Sequence, residues 1–436
     1  MQDGHEAMNR RNFLKQTSGI AAAAMAAPMI LPDSAKGAND KVNVAVLGVN
    51  GRGKSHISGY MDLDNAVVTT LVDPDANVLA ARAKSFEEKY NQKVKTEQDM
   101  RKVFDDESID AISIATPNHW HSLATIWACQ AGKDVYVEKP GSHNIFEGRK
   151  MVEAAQKYDR IVQHGVQLRS SKALQEAVQH LRNGIIGDIY MGRVLVFRWR
   201  GDDGIAPFEP VPEHLDYDLW LGPGPKMPFS RNIVHYKWHW HWEFGNGDLG
   251  NQGVHETDMA LWGLGTGLPD KVMANGGKFL WNDHKTTPEV LTGSMLYTQE
   301  NKILELEVRP WCTNLEDGAG VGNIFYGSEG YMVIKGYDTY ETYLGKNREP
   351  GPSGKEGGNH YENFIQAVVA HDKSILNAPV ETAHLSSAIA HLANTAFRLG
   401  RVLDFDPLTE RYVDDQEANE MLTRNYRHPY VVSDRV

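Results

Sequence analysis

Cysteine is scarce in this chain: Cys129 and Cys312 are the only two among 436 residues. That excludes a disulfide framework, and the reading for both is a free, buried, unreactive thiol. A basic surplus is also missing. The 45 Lys and Arg residues face 57 Asp and Glu, for a formal net charge of −12, so the overall charge supports neither a nucleic-acid nor an anionic-membrane partner. After residue 40 there is no long apolar run, which excludes a membrane-spanning helix in the mature chain. No internal repeat is present, which argues against a solenoid. What remains is an ordinary globular composition, 41% hydrophobic and 23% charged, in a chain long enough for two domains.

The exception is the beginning. "MNRRNFLKQTSGIAAAAMAAPMILP" pairs Arg10 with Arg11, continues with Phe13-Leu14-Lys15, and then turns apolar from Ile20 to Leu31. The apolar stretch is too short and Ala-rich for a comfortable bilayer span. The pattern resembles a twin-arginine export signal with Asn9 in the Ser/Thr place. Residues 1–39 are therefore expected to be a leader, cleaved between Ala27 and Asn39. The mature protein is expected in the periplasm, or otherwise exported, with no membrane span.

Residues 40–165 alternate apolar strands with amphipathic helices. "KVNVAVLG", "AVVTTLVD", "DAISIAT" and "DVYVEKP" read as buried strands, with "DANVLAARAKSFEEKY" and "HSLATIWACQAG" as helices between them. This order predicts a doubly wound parallel sheet, the Rossmann architecture. From about Gly187 the strands lengthen and are joined by Gly- and Asn-bearing turns, which predicts a mostly antiparallel sheet in an α+β domain over 166–436. Residues 204–230 carry six prolines and read as a functional loop or lid. "GKNREPGPSGKEGGN" reads as a mobile loop. Two helical faces, Tyr361–Val368 and Leu385–Leu399, close the chain.

"VLGVNGRGKSHI" places Gly48, Asn50 and Gly53 at the three positions of a G-x-G-x-x-G turn, with Gly51 and Arg52 inside it. Asn tolerates left-handed dihedrals better than other residues with side chains, so the turn survives the exchange. A helix opening behind such a loop offers free N–H groups to a pyrophosphate. Asp73 ends the second strand, twenty residues beyond Gly53. A carboxylate there accepts from ribose hydroxyls and repels a 2′-phosphate, which favours NAD over NADP, although Arg52 stands close enough in sequence to reach that region.

Three further motifs follow in order: "TPNHWH" (Thr116, Pro117 and Asn118 through His121), "EKP" (Glu138, Lys139, Pro140) and "GVHETDMALWGLG". Together with the glycine turn they resemble the glucose–fructose oxidoreductase / inositol dehydrogenase family (Gfo/Idh/MocA) over nearly all of the mature chain. The resemblance implies a Rossmann domain, a sheet domain, substrate between them, and a dimer or tetramer. It also implies a nicotinamide cofactor lying against Thr116, Pro117, Asn118, His121, Glu138 and Lys139, with Lys139 catalytic. The residue chemistry agrees. A lysine just past the C-terminal end of a parallel strand sits where such sheets hold ligands, and it can steady alkoxide charge.

In "YKWHWHWEFGNGDLGNQGVHETD" a helix starting near Asn251 puts Asn251, His255, Asp258 and Trp262 on one face. His255 suits proton exchange with a carbinol, and Asp258, one turn on, is placed to orient it. The family's inositol dehydrogenase pattern has Asp where Asn251 stands; an amide can bond a hydroxyl but cannot share a proton. The preceding run, read as extended, points Tyr236, Trp238, Trp240 and Trp242 one way and the histidines with Glu243 the other. It could pack, bind zinc through paired histidines, or wall a sugar. The reading adopted is a pocket rim with no metal, in which Arg169, Trp240, Trp242 and His255 meet substrate.

The expected function is thus an exported NAD-dependent oxidoreductase acting on a sugar. Outside the cytoplasm it has no pool of nucleotide to draw on, so it is expected to hold its cofactor tightly. Two alternatives stay open: NAD-dependent glycoside cleavage through transient oxidation, and a carbohydrate-binding protein without catalysis.

Overall fold

A computed structural model describes residues 41–311 and 313–436. Residues 1–40, which hold the expected leader, and Cys312 lie outside the described residues. Cys129 is buried and free.

The first sheet comprises β1 (Val42–Leu47), β2 (Ala66–Val72), β3 (Lys95–Glu97), β4 (Ala111–Ile114), β5 (Asp134–Glu138) and β6 (Val162–Gly165). Its order is β3-β2-β1-β4-β5-β6 with every pair parallel, as the alternation of strand and helix predicts. The chain direction across the sheet reverses between β1 and β4, and such a switch point opens a crevice at the strands' C-terminal ends. Local signals set the crossovers. Asp75 caps the helix Ala76–Tyr90 by accepting from the Asn77 and Val78 amides at 2.8 and 3.2 Å. Leu79 and Phe86 anchor that helix, and Asn91 ends it in the left-handed region at φ 52°, where Asn is among the tolerated residues.

The second sheet holds β7 (Ile189–Phe197), β8 (Lys271–Gly277), β9 (Val290–Tyr297), β10 (Lys302–Arg309), β11 (Val321–Gly327), β12 (Gly330–Lys335), β13 (Thr339–Leu344), β14 (Glu349–Lys355), β15 (Leu403–Asp406) and β16 (Arg411–Tyr412). Its order is β14-β13-β12-β11-β7-β10-β9-β8-β15-β16. β7 and β10 run parallel and the other pairs antiparallel. Helices Lys172–Arg182, Gly253–Leu264 and Val380–Leu399 pack on one face around Leu174, Val254, Met295, Phe325 and Ile389.

Two segments return to the first sheet. The helix His360–Ala370 packs Phe364 and Ile365 against Val44 and Tyr60. The C-terminal segment packs Tyr430 and Val432 with Trp120 and Val137.

Two expectations are corrected. The stretch read as a mobile loop contains β14, paired with β13 through Pro350 opposite Tyr343 and Glu349 opposite Leu344. An edge strand tolerates proline, so composition misled. The Trp-His run is not extended: Lys237–Trp240 forms a 3-10 turn. Aromatic packing within the run, with Trp238 stacked on His239 at 3.6 Å, overrides strand propensity.

Candidate active site

The nucleotide loop is shaped by two glycines. Gly48 has φ +81°, and a side chain there would run into the Ala115 carbonyl at 2.5 Å. Gly53 opens the helix Gly53–Met61 directly against the Gly48 carbonyl, leaving no room for a Cβ. Gly51 faces open space, and among the described residues no side chain caps the helix N-terminus. Within the first turn Lys54 N–H donates to the Gly51 carbonyl at 3.2 Å and Ser55 N–H to the Arg52 carbonyl at 2.9 Å, and the positive end of the helix faces the side from which a pyrophosphate would approach. Asp73 lies beside the loop, its two oxygens accepting from the Val49 and Asp75 amides at 3.0 and 3.1 Å. Burial raises its carboxyl to about 6 despite those bonds. Each oxygen keeps a lone pair for a further donor.

A cavity of about 380 Å³ runs from this loop toward the second sheet. Gly48, Asn50, Gly51, Arg52 and Asp73 line one end, and Thr116, Pro117, Asn118 and His121 line its side. Glu138, Lys139, Asn251 and His255 gather at the domain junction. The proline-bearing segment and the C-terminal segment cover it with Leu219, Trp220 and Tyr430. The proline-bearing segment is tied to the turn after β2, where Ala76 N–H donates to the His214 carbonyl at 2.9 Å and Asp216 N–H to the Pro74 carbonyl at 2.9 Å, and to the C-terminal segment, where Arg427 donates to the Gly222 carbonyl at 3.0 Å.

Electrostatics at the junction follow from burial. Glu138 is 4% exposed and accepts from Arg52 Nε at 2.9 Å and Gln167 Nε2 at 3.0 Å, with His56 Nε2 at 3.1 Å. Although burial alone would raise its carboxyl, the Arg52 guanidinium and the His56 contact hold it well below the usual range. Lys139 Nζ donates to Asn251 Oδ1 at 3.0 Å and to the Asn251 carbonyl. Burial lowers its ammonium to about 8, against the pull of Glu138. His255 is kept neutral: burial, then the Lys139 charge, push it well below its ordinary value. Its Nδ1 has no partner among the described residues, and its ring meets Tyr337 edge-on at 5.0 Å. His121 is wedged between the Pro140 carbonyl at 2.6 Å and the Thr116 carbonyl at 2.8 Å, so it fixes the loop's shape.

Several expected residues lie elsewhere. Asp258 does not orient His255; its carboxylate takes Arg169 Nε at 2.6 Å and Nη2 at 3.1 Å. Arg169 is thereby committed, with Trp262 4.8 Å from its guanidinium, and neither Arg169 nor Asp258 lines the cavity. Asp258 is a helix neighbour of His255, but the buried carboxylate is taken by the Arg169 guanidinium instead. Trp240 packs under Arg200 and Lys285. Trp242 walls a second cavity. The 3-10 turn is the cause, since it directs Tyr236, Trp238 and His239 into the first cavity instead. Gly53 shapes the loop without lining the cavity. Sequence reasoning missed Gln252 and Tyr337. Gln252 Nε2 donates to the Tyr337 hydroxyl at 2.7 Å and to Glu256 Oε1 at 3.1 Å. Tyr337 sits in the β12–β13 turn, where no local motif marks it. Among the described residues no group of three His, Cys, Asp or Glu side chains is placed to hold a metal ion.

Fold and site together define a class: a dinucleotide-type Rossmann domain whose loop opens into a cavity shared with a mostly antiparallel sheet domain. The chain belongs to the Gfo/Idh/MocA oxidoreductase family. Residues 42–166 match its NAD-binding Rossmann fold, and residues 186–275 and 342–432 match its C-terminal alpha/beta domain. Levoglucosan dehydrogenase of Pseudarthrobacter phenanthrenivorans is 26% identical over 258 residues, covering 54% of this chain and 57% of that protein. A glycosyl hydrolase family 109 protein of Saccharopolyspora erythraea is 21% identical over 365 residues, covering 73% and 72%. The chain spans about half the length of the first curated relatives it matches. The WlbA dehydrogenase of Bordetella pertussis, solved with NADH and UDP-GlcNAcA, shares the fold with a TM-score of 0.64 at 19% identity, covering 84% of this chain and 99% of that one.

Proposed function

We propose that this chain is an exported, NAD-dependent oxidoreductase that moves hydride to or from a hydroxyl-bearing carbon of a sugar. One observation carries the reading: Lys139 and His255, from different domains, wall the same cavity as the glycine loop and Asp73. The residues present fit a dinucleotide. The unfilled space at Gly51, the uncapped helix start and the Asp73 carboxylate suit pyrophosphate and ribose. Arg52 is drawn to Glu138, away from the ribose side, which supports NAD over NADP.

When bound, the nicotinamide supplies a two-electron hydride acceptor or donor. The chain's residues do the rest. Lys139, lowered to about 8, takes the hydroxyl proton as the carbon is oxidised, or returns it in reduction. Asn251 holds Lys139 Nζ in place and leaves room for a substrate oxygen. Neutral His255 offers one donor and one acceptor to a sugar hydroxyl. Leu219, Trp220 and Tyr430 exclude water and oppose loss of the nucleotide. Twin-arginine export of folded protein with its cofactor inside fits that enclosure.

A second reading is net glycoside cleavage through transient oxidation at the same site. The glycosyl hydrolase family 109 relative, matched over 73% of this chain, favours keeping it. The test is to denature protein purified from the exported fraction and identify the nucleotide released. Sugars and aryl glycosides are then offered to the intact protein, following reduced nicotinamide and aglycone. Released NAD with sugar-dependent reduction supports the first reading, and aglycone release without net reduction supports the second. A protein that carries and accepts no nucleotide overturns both.

A further inference from the structure

A second cavity of about 380 Å³ lies behind Asn246. Asn118, in the wall of the first cavity, donates Nδ2 to Asn246 Oδ1 at 3.0 Å, so one amide contact links the two walls. The second cavity is lined by Trp242, Glu243, Arg398, Glu420, Arg424 and Asn425, among others. It takes in the part of the Trp-His run that the hydride-transfer site leaves unused.

One buried polar atom of its wall is unpaired: His143 Nε2 has no hydrogen-bond partner among the described residues. A buried polar atom left so costs about 1–3 kcal/mol unless water or a ligand meets it. Two exposed groups stand beside it, the Asn425 amide and the Arg398 guanidinium. Arg398 lies 5.1 Å from the Trp242 ring and, among the described residues, has no carboxylate within ion-pair distance. The charge in the wall balances, with Arg398 and Arg424 against Glu243 and Glu420, so no net field selects an ion. A flat indole face beside planar amide and guanidinium groups suits the C–H face and paired hydroxyls of a pyranose.

From this arrangement we infer a second saccharide site, specific for a neutral sugar and separate from the hydride-transfer cavity. It needs no cofactor, so it stands or falls independently of the reaction proposed above.

The test is calorimetric titration and saturation-transfer NMR of the full protein with glucose, galactose, N-acetylgalactosamine and glucuronate. Wild type is compared with Arg398→Ala and with Asn425→Trp, which fills the mouth from an exposed position. Because hydrogen bonds to a charged group are worth about 1.5–3 kcal/mol, Arg398→Ala should weaken neutral-sugar binding at this site about tenfold or more. Asn425→Trp should abolish that binding, and both variants should keep wild-type nucleotide content and hydride transfer. Neutral-sugar binding that is absent in wild type, or unchanged in both variants, overturns the inference. Binding of glucuronate alone overturns its neutral-sugar specificity.

Discussion

Lys139 Nζ donates to Asn251 Oδ1 at 3.0 Å, across the junction between the two sheets. The first residue follows β5 and the second ends the short helix Gly247–Asn251. The bond places an amine of lowered proton affinity beside an amide that cannot take its proton. Substrate oxygen is then its only exchange partner in the proposed reaction.

The pH dependence follows. Lys139 must be neutral to accept the hydroxyl proton, and its folded value is about 8. Sugar oxidation should rise with pH through about 8 and level off above it. Reduction needs the ammonium and should fall over the same range. Initial rates in both directions check this, and Lys139→Met should lose the limb together with at least about a hundredfold in rate.

His255→Ala should lower turnover and weaken substrate binding, while Lys139's pH limb remains. Its neutral state also means that no second limb should appear near pH 6.5, where a free histidine titrates. The log rate against pH for wild type and variant distinguishes the two groups.

Asp73→Ala should loosen NAD and narrow the gap to NADP, because the carboxylate that repels a 2′-phosphate is gone. Equilibrium dialysis with each nucleotide measures this. Unchanged retention of both would remove Asp73 from the ribose site.

Arg169→Ala should cost about 3–5 kcal/mol, because it strands a buried carboxylate. Asp258 is 1% exposed. Its bond to Arg169 makes that arginine a structural partner, so the substrate KM of the folded fraction should hold. Denaturant unfolding with parallel kinetics separates stability from binding.

The parallel sheet and the nucleotide loop were legible in the sequence because their signals are local. A strand, a glycine turn and a helix lie within about twenty residues, and Gly48 and Gly53 keep the contacts that their positions imply. Lys139 was legible for the same reason, since it follows β5 directly. The aromatic wall of the cavity was not. Whether Trp240 or Trp238 meets the cavity depends on a single 3-10 turn, and alternation assumes a strand. Asp258 was misjudged because its partner, Arg169, is 89 residues away. Tyr337 reaches the site only because β12 and β13 turn there, and the Pro-Gly composition of β14 concealed an edge strand that pairing alone creates.

The most direct measurement is a single turnover: NAD-loaded protein mixed with sugar, following reduced-nicotinamide absorbance without added nucleotide. The account predicts reduction of bound cofactor in wild type and slowing of at least about a hundredfold in Lys139→Met and His255→Ala, with nucleotide content unchanged. Wild-type amplitude and rate in both variants would contradict it.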